Sequence, residues 1–298
     1  MIAIACGLIS ALCWGISDWL ARGISSSMGS FRAQLWSQLT GLVGLGIAVV
    51  VSGAGHEALS VGTPRAWGLT LLYAGIVGVA ALVFFEAFGK GKVAVVAPIV
   101  GAYGAVSVAW SLAFGASLSL PVAGGLAVVI AGVVLASMSP QVDDGAVDDG
   151  AVVDADLAAR HRRGVIAAVG AAFLFGTAFF LLGREAAPAF GSLVPALLSR
   201  LVGPVVLGTI ATAFGASLAP PASLADRLGV LGSGVLSSGA VVATGYGVQH
   251  GDVAIVAVLG SLSVVVTVLI ALVVLRERLT RRQWLGVGLA LLGIPLLA

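Results

Sequence analysis

Charge is the scarcest property of this sequence. Charged residues make up 9% of its 298 residues, whereas a soluble domain carries about 25%. The net charge of +2 is too small to indicate a nucleic-acid partner. Apolar residues reach 59% and the mean hydropathy is +1.13. The shortage of charge therefore excludes an ordinary soluble globular protein and favours one that lies in the lipid bilayer.

The residue sets of common catalytic sites are also missing. The only cysteines, Cys6 and Cys13, lie about 10 Å apart along one helix, which is too far for a disulfide. His56 and Glu57 resemble the start of a His-Glu-x-x-His zinc motif, but Ser60 replaces its second histidine. No phosphate-binding loop of the Gly-x-x-x-x-Gly-Lys-Ser/Thr kind is present. We expect no enzyme activity, no catalytic residues, no metal and no cofactor.

Long apolar runs dominate what is present. Each run is close in length to the roughly 20 residues that a transmembrane helix needs. The alternating pattern of a membrane β-barrel is absent. The sequence therefore predicts an all-α polytopic membrane protein. Its ten transmembrane helices are predicted at residues 2–21, 32–52, 66–88, 93–114, 121–138, 164–182, 192–214, 227–248, 253–275 and 282–298.

The sequence contains an internal repeat. The stretch from Gly91 to Gly132 matches the stretch from Gly251 to Gly293, and Trp14-Gly15 matches Phe175-Gly176. The predicted domains are a first five-helix repeat at 1–138, an acidic and then basic linker at 139–163, and a second five-helix repeat at 164–298. Because five is odd, the second repeat enters the membrane from the opposite side, which makes the two repeats inverted.

Basic residues predict the orientation. Twelve lie in loops on one side of the ten-helix arrangement, and only Arg65 and Arg184 lie in loops on the other. Basic loops face the cytoplasm, so we expect the 139–163 linker in the cytoplasm and both termini outside. The expected location is a bacterial-type cytoplasmic (inner) membrane. The twelve residues are Arg22, Arg32, Lys90, Lys92, Arg160, Arg162, Arg163, Arg227, Arg276, Arg278, Arg281 and Arg282.

This pattern resembles the drug/metabolite transporter superfamily, in its ten-helix branch of EamA-type transporters. The resemblance covers both repeats. It rests on Trp14-Gly15 and on Glu277-Arg278-Leu279-Thr280, followed by Gln283-Trp284-Leu285-Gly286. The family often has a proline midway along the ninth helix, where this chain has Val264, and Tyr103 is the counterpart in the first repeat. The family also usually has Gly before the Glu, where Arg276 stands.

The resemblance implies a central cavity lined by the first, third, fourth, sixth, eighth and ninth helices, with the fifth and tenth at the periphery. It also implies a function. The expected function is a secondary transporter, an exporter of small organic metabolites, amino acids or amphipathic drugs. It would work by alternating access, with protons as one coupling option. The expected partners are a small-molecule substrate and the bilayer, and the protein is expected as a monomer or homodimer. The alternative is a non-transporting membrane scaffold or sensor.

Ionisable side chains within apolar spans are costly and invite a functional interpretation. Asp18 is either a cavity carboxylate that binds a cationic group or a proton, or one half of an ion pair with Arg22 at a helix end. Glu86 has the same arrangement with Lys90. Arg200 has no acid within four residues, so it either joins helices or meets a substrate or gate.

The predicted coupling or gating residues are Asp18, Glu86, Arg200 and His250, the last as a proton-relay candidate. Asp252 is predicted to supply a favourable charge at the start of a helix. Polar and aromatic residues at the remaining positions are predicted to line the cavity or to pack between helices. The predicted cavity residues are Trp14, Ser17, Asp18, Tyr73, Tyr103, Thr177, Ser237, Ser238, Ser261 and Ser263.

Overall fold

The computed structural model describes residues 1–90, 99–137, 151–214, 217–274, 281–293 and 296. These residues form thirteen α-helices. The helices are α1 Ile2–Met28, α2 Ser30–Ser52, α3 Ala54–Val61, α4 Pro64–Lys90, α5 Tyr103–Ala113, α6 Leu120–Ser137, α7 Ala151–Leu181, α8 Ala187–Phe190, α9 Leu193–Phe214, α10 Leu224–Gln249, α11 Val253–Ser261, α12 Ser263–Val274 and α13 Arg281–Gly293.

The helices correspond to the ten predicted spans, with α11 and α12 together forming the ninth. By length and composition, five of the described helical segments can cross a membrane on their own. Four more apolar helical segments are shorter, at 10–17 residues. The five long segments are Ile2–Ser25, Phe31–Ser52, Pro64–Phe84, Arg162–Phe190 and Leu224–Gln249. The all-α membrane fold is thus confirmed.

The first helix is longer than its apolar run. We predicted an end near residue 21, but α1 continues to Met28. Ile24 and Met28 are buried one helical turn apart and pack with Val230 of α10, so burial against a neighbour sustains the extra turns. Gly29 then separates α1 from α2 with φ of 86°, a backbone conformation that favours glycine.

The two repeats pack together through equivalent helix pairs. The most extensive contacts are α1 with α10 and α4 with α7, and each pair joins an inner helix of one repeat to one of the other. Further contacts link α1 to α11 and α12, and α7 to α5. The helices α6 and α13 pack mainly against each other.

Two glycines allow equivalent close approaches. A Cβ atom at Gly15 in α1 would lie 2.5 Å from Val266 Cβ in α12, and one at Gly176 in α7 would lie 2.5 Å from Val106 Cβ in α5. Small residues of this kind let membrane helices approach closely. Because both contacts involve matching positions of the repeat, the internal symmetry seen in the sequence is also present in the packing.

The fourth and ninth spans are both interrupted at matching residues. In the fourth span, Ala102 is a single non-helical residue between helical residues 99–101 and α5. In the ninth span, Leu262 separates α11 from α12 in the same way. At each break the backbone N–H bonds to the carbonyl three residues earlier, from Ala102 to Ile99 and from Leu262 to Leu259. No proline lies at either break, so the interruption forms without the residue that the resemblance suggests for this region.

Three connecting segments contain helical structure that we did not predict. The loop after α2 contains α3, whose Ala58 packs with Phe190 and Val194. A π-helical turn at Leu182–Ala186 extends the sixth span. Residues 151–163 of the predicted linker are helical and belong to α7. Their high alanine content favours a helix, and Asp156 precedes Arg160 by four residues, a stabilising spacing.

Candidate functional site

The inner face of α1 carries Asp18. The positions Ile9 and Ile16 share the opposite, exposed face of the helix. Nine residues at about 100° each place Asp18 about 180° around the helix from Ile9. Asp18 is nevertheless exposed, so solvent reaches the space between the helices at this point. An accessible carboxylate on the inner face of a membrane helix can bind a cation, a proton or a hydrogen-bond donor.

The depth of Asp18 bears on the two interpretations of this residue. Because α1 ends at Met28, Asp18 lies about 15 Å along the axis from that end, at 1.5 Å per residue. Asp18 makes no hydrogen bond or ion pair with any side chain that the structure describes. The side chain of Arg22 is not among those described, so the ion pair remains a prediction.

An aromatic pair lies near Asp18, with one ring from each repeat. The Tyr103 hydroxyl interacts electrostatically with the Asp18 carboxylate. The Tyr103 ring stacks on Phe179 of α7, with ring centroids 5.0 Å apart. Tyr103 is the first residue after the break at Ala102, and a Cβ atom at Gly260 would lie 3.5 Å from its hydroxyl. Asp18 and Tyr103 therefore lie in the same region, beside both interrupted helices.

Hydroxyl groups fasten α1 to α10. Ser10 and Thr244 are hydrogen-bonded at 2.8 Å, and Ser17 donates to the Ser233 carbonyl at 3.0 Å. All four residues are buried. Ser17 is thus engaged in joining helices, although it neighbours Asp18. Ser10 and Ser233 were not singled out from the sequence, although the seven-residue spacing of Ser10 and Ser17 places them on one helical face.

The predicted polar residues near the helix breaks are also bonded within the protein. Ser261 donates to the Val258 carbonyl at 2.6 Å, and the Ser263 carbonyl accepts from Thr267 at 3.0 Å. Between the two repeats, Trp110 Nε1 donates to Thr177 at 2.9 Å. Trp110 was missed in the sequence, where an isolated tryptophan in an apolar run gives no signal of its partner.

A second polar cluster surrounds Arg200 in α9. Arg200 is buried, with 6% of its surface exposed, and its Nη1 donates to Gln38 Oε1 at 3.1 Å. The guanidinium carbon lies 5.8 Å from the centroid of the Trp14 ring. Tyr73 is buried, and its hydroxyl interacts electrostatically with Arg200. The structure therefore brings Trp14 and Tyr73 to Arg200 and leaves Asp18 beside Tyr103.

The remaining predicted residues lie elsewhere. Ser237 is buried and donates to the Gly234 carbonyl. The exposed His250 stacks near Tyr246, with ring centroids 4.3 Å apart, and its Nδ1 lies 2.8 Å from the Tyr246 carbonyl oxygen. Asp252 caps α11 by accepting from the Ala254 N–H at 2.8 Å, as the helix-start interpretation predicts.

Two sequence predictions concern residues that the structure does not describe fully. Glu86 is exposed and has an interaction of its own, but the Lys90 side chain lies outside the described set, so their ion pair remains a prediction. The motif from Glu277 to Thr280 lies outside the described residues. Within the described chain, no group of three or more His, Cys, Asp or Glu side chains comes close enough to hold a metal ion.

Comparison with protein-family models identifies the chain. The model described as the EamA-like transporter family matches residues 1–138 and 162–298, which together cover both repeats. The chain belongs to the EamA-like transporter family. Membership implies a secondary transporter that is integral to the membrane with multiple spans, and proteins of this transporter family are generally not enzymes.

Solved structures agree with this assignment of the fold. Twenty-seven chains of solved structures match this one significantly. One crystal structure, described only as that of a protein, superposes with a TM-score of 0.79 over 99% of this chain and 94% of its own, at 16% sequence identity. No curated protein matches the sequence significantly. The EamA family and fold are therefore shown, while the substrate is not named by any of these comparisons.

Proposed function

We propose that this EamA-family protein exports small amphipathic organic solutes by alternating access, with Asp18 as the carboxylate that binds a cationic group of the solute or a proton. The observation that supports this proposal is the exposure of Asp18 on the inner face of α1. A charge within a membrane span is costly and is kept mainly where it has a task. Its position beside two interrupted helices matches the sites that many secondary transporters use.

The surroundings of Asp18 favour an amphipathic solute. On one side, α1 and α10 provide hydroxyl groups that are fixed by mutual hydrogen bonds. On the other side, Tyr103 and Phe179 offer stacked aromatic rings. Aromatic faces attract cations as well as apolar groups. A solute with a positive or hydrogen-bonding group and an apolar body would therefore interact favourably with both the hydroxyl side and the aromatic side.

Flux in proteoliposomes tests the function. Purified protein would be reconstituted and presented with amino acids and cationic dyes across an imposed pH gradient, with Asp18→Asn as the test variant. We expect flux of at least one compound by the wild type and loss of its pH dependence in Asp18→Asn. The matched control is Asp252→Asn, which keeps the helix cap because asparagine also caps well. A wild type that moves no compound and is stabilised by none would favour the scaffold or sensor alternative.

We also propose that the loops rich in basic residues face the cytoplasm and that both termini face outward. The support is the twelve-to-two distribution of basic residues between the two sides. A single cysteine placed in residues 139–150, in a background with Cys6 and Cys13 replaced, provides the test. We expect an impermeant thiol reagent to label it only after the cells are opened. Labelling in intact cells would reverse the orientation.

A further inference from the structure

Arg200 carries a positive charge that no described residue neutralises. It is buried inside the helix bundle, with 6% of its surface exposed. Its Nη1 bonds to the neutral amide of Gln38, while Nε and Nη2 make no hydrogen bond to any described group. Burying a charge without a counter-charge is strongly unfavourable. The guanidinium therefore needs a negative partner from outside the described chain.

Other hydrogen-bond donors lie around the same guanidinium. Trp14 Nε1 and Ser238 Oγ are buried and unpartnered in the described structure, and the Trp14 ring lies 5.8 Å from the guanidinium carbon. A Cβ atom at Gly41 would meet both Ser238 Oγ and Arg200 Cδ, so these two side chains pack against the same point of α2. The donors come from α1, α9 and α10, and they form a set that would suit an anion.

Asp18 does not meet this need. Asp18 interacts electrostatically with Tyr103. Arg200 interacts electrostatically with Tyr73 instead. The one ion pair between described side chains joins Arg184 to Glu185. Asp18 and Arg200 are thus separate within the bundle, and neither neutralises the charge of the other.

We propose that Arg200, Ser238 and Trp14, where α1, α2, α9 and α10 pack together, form a binding site for a small monoanion of the carboxylate or halide kind. The planar guanidinium offers a fork of donors that matches a carboxylate, and Ser238 and Trp14 supply further donors. The carboxylate source, a solute in transit, rests on the proposed function. The other source is an inorganic anion such as chloride that stays bound while the protein works.

Thermal unfolding of the purified protein tests the site without requiring transport. The midpoint would be measured against increasing sodium acetate or sodium chloride, with ionic strength held constant by a bulky sulfonate buffer. We expect a saturable rise for the wild type, and a half-saturating concentration at least about tenfold higher in Arg200→Gln, because a good charge-assisted pair is worth roughly that factor. The matched control Arg282→Gln removes an exposed arginine and should behave like the wild type.

Two further variants keep the test decisive if Arg200→Gln does not fold. Arg200→Lys retains the charge but not the fork, so acetate binding should weaken more than chloride binding. Gln38→Glu places a carboxylate where Arg200 already donates, so it should remove the anion dependence while raising the midpoint in anion-free buffer. A wild-type midpoint indifferent to both anions, or Gln38→Glu with unchanged anion dependence, would overturn the proposal.

The two arms also distinguish the source of the anion and separate this site from the transport function. Stabilisation by acetate but not chloride would assign the site to the carboxylate of a solute, whereas stabilisation by both would assign it to a small inorganic anion. Arg200-dependent stabilisation without flux of any compound would leave the site standing and remove the proposed function. Flux without any anion effect would support the proposed function and remove the anion site.

Discussion

The two repeats agree in how they pack and differ in what their inner helices present. Gly15 and Gly176 occupy matching close contacts, and the breaks at Ala102 and Leu262 also match. By contrast, Ser10, Ser17 and Asp18 of α1 correspond to Ala171, Ala178 and Phe179 of α7. The comparison teaches that the duplicated architecture depends on small residues, while polar chemistry is concentrated on the α1 side and aromatic surface on the α7 side.

The largest expected effect tests the shared packing. We expect Gly15→Ala and Gly176→Ala to lower the free energy of unfolding by similar amounts of about 1–3 kcal/mol, since each new methyl would overlap a valine of the neighbouring helix. Thermal unfolding in detergent measures both. The control Gly44→Ala adds a methyl where nothing lies within 4 Å and should not destabilise. A large loss in only one repeat would break the equivalence.

The next effect tests the functional difference between the repeats. In proteoliposomes, Asp18→Asn should lower pH-driven flux about tenfold or more, equivalent to about 1.4 kcal/mol, because the amide cannot exchange a proton. Phe179→Leu, at the matching position, should lower flux only a few-fold by removing the stack on Tyr103. Equal effects of the two substitutions on flux would show that α1 and α7 contribute equally, and that the repeats do not differ in function at this position.

A smaller effect tests the polar contact between α1 and α10. Ser10→Ala removes the bond to Thr244, but Thr244 keeps its bond to the Ala240 carbonyl. We therefore expect a loss of about 0.6 kcal/mol, the average for hydrogen bonds between membrane helices. The reciprocal variant Ala171→Ser, at the matching position of α7, should bring no gain. A midpoint unchanged in Ser10→Ala would mean that the hydroxyl pair contributes nothing to stability.

The smallest expected effect concerns Thr177, whose counterpart in the first repeat is Ile16. Thr177→Val retains the shape of the side chain and loses the bond from Trp110 Nε1. Since Thr177 is only half-buried, the Trp110 N–H can turn to water, and we expect less than about 0.5 kcal/mol. Trp110 fluorescence should shift to longer wavelength if the indole gains water. A loss above 1.5 kcal/mol would show that this bond matters more than the α1–α10 pairs.

The length of the apolar runs predicted the helices well because lipid requires each span to be apolar over its full length. The same reasoning placed the end of α1 too early. The apolar run stops near residue 21, but Ile24 and Met28 bury a further stretch against α10. That error put Asp18 close to a helix end, where an ion pair was an equal alternative. Helix ends depend on neighbouring helices, which a single apolar run does not report.

The candidate site was predicted less completely than the fold. Sequence reasoning found Asp18 and Arg200 because ionisable residues are rare in apolar spans. It did not find Ser10 or Trp110, because a hydroxyl or an indole becomes informative only when its partner is known. It also could not separate Tyr73, which lies beside Arg200, from Tyr103, which interacts with Asp18. These groupings arise from contacts between residues that are far apart in the chain.

The close packing of Gly15 against α12 and of Gly176 against α5 limits how these helices can move. In each case the glycine meets the half-helix that follows the break, so α1 cannot slide past α12, nor α7 past α5, without a steric clash. We expect each pair to move as one unit, with the interrupted backbone at Ala102 and Leu262 as the two matching points that bend. Such a movement is what the proposed alternating access requires.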